Sequence, residues 1–103
     1  MSLLRTPQSL VDRLDLDTGQ GGFEAEVMQE QAAALGRLGR RAEAALAALR
    51  AHQGEGRAEV LKSASDAVWC FFVQRDVMGL RDRAQIIADY QIPREVIARL
   101  GVR

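Results

Sequence analysis

The sequence predicts an all-α protein. Three observations predict it. Apolar residues recur at helical spacing through two long stretches rich in Ala. No stretch alternates apolar and polar residues as a strand does, and no two-residue hairpin turn occurs. Gly and Pro fall between the periodic stretches, where they punctuate helices. The 103 residues amount to one domain's worth of chain, 48% hydrophobic and 27% charged, with 14 basic and 14 acidic side chains. That balance excludes disorder driven by charge, and argues against strong nonspecific attraction to nucleic acid or anionic lipid.

The first segment, residues 1–22, is mixed. Thr6-Pro7 is a helix start, with a capping hydroxyl followed by Pro at the first helical position, and Leu10, Val11 and Leu14 follow at helical spacing. A short helix is expected near 7–14, then a Gly-rich loop over 15–22. Arg5, Pro7, Asp12 and Arg13 break up any apolar run that a secretory leader would need. No apolar run approaches the length of a membrane span. The protein is therefore expected to be cytoplasmic, which also suits a lone Cys70 with no disulfide partner in the chain.

Residues 23–103 are expected to form a single helical domain. From Phe23 to His52, Met28, Leu35, Ala42 and Leu49 repeat every seven residues, with Leu38, Ala45 and Leu46 between them. Glu24, Glu26 and Glu30 early and Arg37, Arg40, Arg41 and Arg50 late complement the helix dipole. Gly36 and Gly39 cost about 1 kcal/mol each against Ala, so a close backbone approach by a neighbouring helix, or a bend, is expected there. Gln53-Gly54-Glu55-Gly56 is a turn.

The next helix runs from Arg57 to Met78 or Leu80. Val60, Leu61, Ala64, Val68, Phe71 and Phe72 make one apolar face, and Trp69, Val73, Val77 and Leu80 a second. A single partner helix cannot cover both faces. Gly79 ends this helix, Asp82 caps a helix of about nine residues, and Ile92-Pro93 opens another with Val96, Ile97 and Leu100 as its apolar face, stopped by Gly101. The architecture expected is an antiparallel hairpin of two long helices with short terminal helices, pairing into a dimeric four-helix bundle. Leu35, Leu38, Val68, Trp69, Phe71, Phe72 and Val73 are the expected interface.

Few residues suggest chemistry. One Cys and one His cannot supply a zinc site built from several such ligands of one chain. His52 ends a helix, where a cation suits the dipole, and Cys70 sits among aromatic and aliphatic neighbours as a core thiol. No catalytic residue, cofactor, metal or small-molecule ligand is expected. Arg75 and Asp76 interrupt the apolar run as an ion pair or half of an anion site. Arg75 with Arg37, Arg40 and Arg41 supports an alternative reading, a small helical enzyme with an Arg-lined site for an anion. A phosphate-binding loop is absent, because no strand precedes Gly19-Gln20-Gly21-Gly22.

Residues 83–101 resemble a helix-turn-helix DNA reader, through Ile86, Ile92-Pro93-Arg94-Glu95, Ile97 and Leu100. That resemblance implies a DNA-binding module at 83–103 with Arg94, Arg99 and Arg103 on nucleic acid. Five Arg against three acidic residues in 81–103 fit it. The sequence departs from that family at Ile87, where a small residue is usual, and at Gln91, where Gly is. Two longer blocks, Trp69-Cys70-Phe71-Phe72-Val73-Gln74-Arg75-Asp76-Val77-Met78-Gly79-Leu80 and Tyr90-Gln91-Ile92-Pro93-Arg94-Glu95-Val96-Ile97-Ala98-Arg99-Leu100-Gly101, resemble small bacterial all-helical proteins of unknown function over residues 57–101. The preferred reading is a non-enzymatic helical protein that acts by self-association or protein–protein contact.

Overall fold

The computed structural model describes residues 19–102. Four helices account for them: α1 (Gly19–Ala51), α2 (Arg57–Val77), α3 (Arg83–Tyr90) and α4 (Arg94–Ala98). Among the described residues there is no strand, and no helix is long and apolar enough to cross a membrane. The helix expected near 7–14 lies outside the described residues.

α1 begins at Gly19, not at Phe23. Gly19-Gln20-Gly21-Gly22, expected in a loop, form its first turn. Extending a helix that is already nucleated is far less costly than starting one, and the first turn has no amide bonds of its own to lose. The chain divides into two compact units, Met1–Ala33 and Ala34–Arg103. Residue 23 itself lies within α1. In the first unit, residues 22–30 of α1 are exposed, and Met28 at 68% lies outside any core although it belongs to the seven-residue repeat.

In the second unit, Ala42, Leu46 and Leu49 of α1 join Ala64, Ala67, Val68, Phe71 and Phe72 of α2 in one core, with Ile86, Ile92 and Val96 closing it. Leu35, Leu38 and Ala45 pack against this cluster. Gly39 is buried, and a Cβ built on it would lie 3.2 Å from the Phe71 ring and 3.3 Å from the Tyr90 hydroxyl. The crowding at Gly39 thus comes from side chains of α2 and α3, not from a neighbouring backbone as expected. At Gly36 the atoms nearest to a Cβ belong to the Arg40 side chain of α1 itself.

The helix ends follow from residue type. α2 starts after Gly56 in the left-handed region (φ 85°), and the buried Ser65 hydroxyl donates to the Leu61 carbonyl at 2.9 Å, as a buried mid-helix hydroxyl must. At its end, Gly79 (φ 82°) lets the Gly79 amide donate to the Asp76 carbonyl and the Leu80 amide to the Arg75 carbonyl. α3 is capped by Asp82, whose carboxylate accepts from the Gln85 amide at 3.1 Å. Replacing it, Asp82→Ala, is expected to cost about 0.5–2 kcal/mol, read as a melting temperature several degrees lower. An unchanged melt would mean that the cap adds nothing.

α3 ends the same way as α2, with Gln91 in the left-handed region (φ 54°) and the Ile92 amide donating to the Ile87 carbonyl at 3.0 Å. α4 has five residues rather than the eight or so its apolar spacing suggested, because turns take over at Arg99 and Leu100.

Candidate functional site

Among the described residues, α2 carries apolar surface that its neighbouring helices leave exposed. Its inward face is complete: Val68, Phe71 and Phe72 are buried against α1, α3 and α4. These three residues, expected at a subunit interface, are closed into the chain's own core because Ile86, Ile92 and Val96 of the short helices reach it. Leu35 and Leu38 are half-buried against that same core.

The second face is different. Trp69 is half-buried, Val73 is 40% exposed, Val77 65% and Leu80 42%. Val73 and Val77 are one helical turn apart, so they share a side of α2. Trp69 stands one turn before Val73, and Leu80 follows just past the helix end. These four residues make an apolar stripe on the described surface. Trp69 is held at one end of it between two neighbours. A Cβ on Gly101 would sit 3.6 Å from its ring, and the Arg83 guanidinium lies 5.9 Å from its ring centroid.

Arg83 organises the polar edge of the stripe. Its guanidinium lies 4.9 Å from the Phe72 centroid and pairs with the Asp76 carboxylate at 2.9 Å. Arg75 and Asp76 are thus not paired with each other. Arg75 instead stacks 5.9 Å from the Phe71 centroid and donates to the Asp82 carbonyl at 3.4 Å. Both side chains brace the α2–α3 turn. Sequence reasoning missed Arg83; an opposite charge seven residues from Asp76, across the turn at Gly79, was the available signal. Arg37, Arg40 and Arg41 are exposed. The Nε atoms of Arg75 and Arg99 are shielded from solvent and have no hydrogen-bond partner among the described residues.

The remaining candidates are placed as follows. The His52 ring donates to the Glu55 carbonyl at 2.8 Å, which tightens the turn after α1. Cys70 is a free, half-buried thiol rather than a fully closed core residue. The Tyr90 ring tilts against Phe71 with centroids 5.5 Å apart. Burial first, and the Glu43 carboxylate next, raise its phenol above the ordinary range, with Arg75 pulling the other way. Its hydroxyl lies close beside Gly39. Among the described residues, no three His, Cys, Asp or Glu side chains converge as metal ligands.

Of the residues expected on nucleic acid, Arg94 is exposed, Arg99 is half-buried and Arg103 lies outside the described residues. Glu95 beside them is engaged: Arg57 donates to its two carboxylate oxygens at 2.8 and 2.6 Å, tying α4 to the start of α2. Those hydrogen bonds hold the Glu95 carboxyl below the ordinary carboxylate range, against a smaller opposing effect of desolvation. A depressed carboxyl contributes stability above its unfolded-state value and loses it as pH falls through the folded-state value. Comparing melts of the wild type and Glu95→Gln should show a small advantage for the wild type at neutral pH that disappears in acid. The pair is exposed to solvent, so the advantage is expected to shrink with salt too. A gap that stayed constant down to strongly acidic pH would show that the fork does not act through charge.

These features define a small all-helical protein with a closed core and an apolar stripe outside it. A model of the family of unknown function DUF6665 matches residues 1–103, and the chain belongs to that family. The family of unknown function expected from residues 57–101 thus covers the whole chain. No curated protein matches it, and no solved structure does.

Proposed function

We propose that this protein acts through protein–protein association, with a second copy of itself as the partner. The two long helices form an antiparallel hairpin, and two hairpins pair along the second face of α2. The observation that carries this reading is the stripe of Trp69, Val73, Val77 and Leu80, apolar and left open by the described helices. Single exposed apolar residues are ordinary; several in line along one helix mark a contact surface. The expected interface thereby contracts to its outward members, Trp69 and Val73, and gains Val77 and Leu80. The DNA reading gains less support. α4 is under two turns long, and Glu95 in its first turn would repel phosphate if freed from Arg57. The Arg-lined anion site gains none, since Arg37, Arg40 and Arg41 form an exposed face of α1 and Arg75 is taken up by the Phe71 ring and the Asp82 carbonyl.

Val77→Glu tests the proposal without touching the core, because Val77 is the most exposed of the four. Size-exclusion chromatography with light scattering should give the wild type a mass twice the 11.3 kDa of the chain. The variant should give the mass of one chain, with an unchanged helical circular dichroism spectrum. A wild type that stays at one chain's mass across concentrations would overturn the proposal. So would a variant that still pairs as tightly as the wild type.

A further inference from the structure

No further inference is drawn: the strongest candidate, the exposed apolar surface of Phe23, Val27 and Met28 on the first half of α1, carries nothing because nothing in the structure shows what covers it.

Discussion

Phe72→Ala is expected to remove about 3–5 kcal/mol of folding stability, the largest loss from any single truncation in this chain. Phe72 is 0% exposed and is the bulkiest of the fully buried side chains. Its ring meets Phe71 with centroids 6.5 Å apart and carries the Arg83 guanidinium at 4.9 Å. Truncation therefore does two things. It opens a void between helices whose remaining side chains are held on separate backbones, and it strips the apolar floor from under Arg83. The second effect adds about 0.5–1 kcal/mol at a partly exposed site. Domains of this size have about 5–15 kcal/mol in total, so the variant is expected to lose a large share of its stability. Urea unfolding followed by circular dichroism measures it, with Val77→Ala as the control, expected to stay within about 0.5 kcal/mol of the wild type. A loss below about 1 kcal/mol for Phe72→Ala would mean that the core does not close around this ring. Such a result would also reopen Phe71 and Phe72 as surfaces for a partner.

How much of this was legible in the sequence depends on what each signal measures. Periodicity reports which side of a helix is apolar. It found the Ala42, Leu46 and Leu49 side of α1 and both faces of α2, and all of these exist. It does not report how far a partner extends, so Met28 looked equivalent to Leu35 and is exposed. End signals were readable where a residue type has one job: Gly79 and Gly101 adopt positive φ, and Asp82 accepts an amide. Gln91 was not readable, because a left-handed residue other than Gly is chosen by the surrounding hydrogen bonds rather than by its own preference. Gly19–Gly22 misled for the opposite reason: local preference says break, and an adjoining long helix overrides it. The stripe itself was visible as a surplus of apolar residues on α2. Only the structure tells which part of that surplus the short helices take up. Arg83 was hidden because its role spans a turn and depends on two aromatic rings that sequence order places earlier.

The size of the stripe bears on the strength of the pairing proposed. Specific interfaces bury roughly 800 Å² per partner, more than the exposed parts of Val73, Val77 and Leu80 and the half-buried Trp69 supply. Pairing must then draw in polar neighbours of the stripe, such as the Asp76–Arg83 pair at its edge. An interface of that mixed character binds less tightly than a core cut in half. The measured mass should accordingly fall towards that of one chain on dilution, and added salt should weaken pairing only modestly, because the stripe itself is uncharged.

Ala in place of Gly at positions 36 and 39 should change stability in opposite directions. Both glycines lie within α1, where Ala is favoured by about 1 kcal/mol. At Gly36 that gain is collected, because the atoms nearest to the added methyl belong to the Arg40 guanidinium, the far end of a flexible exposed side chain, at 3.3 Å. Gly36→Ala is thus expected to stabilise by up to about 1 kcal/mol. At Gly39 the same methyl would press on Phe71 at 3.2 Å and on the Tyr90 hydroxyl at 3.3 Å. Phe71 is buried and its ring is backed by Tyr90, so neither moves without disturbing the other. Overpacking of this kind costs about 1–3 kcal/mol, which outweighs the helical gain and leaves Gly39→Ala less stable than the wild type. Removing the hydroxyl should relieve part of the strain. The double variant Gly39→Ala/Tyr90→Phe is expected to be more stable than the two single changes predict by addition. If Gly39→Ala instead stabilises the protein as Gly36→Ala does, α1 does not approach Phe71 and Tyr90 this closely, and the apolar stripe on the far side of α2 would have to be reassigned with it.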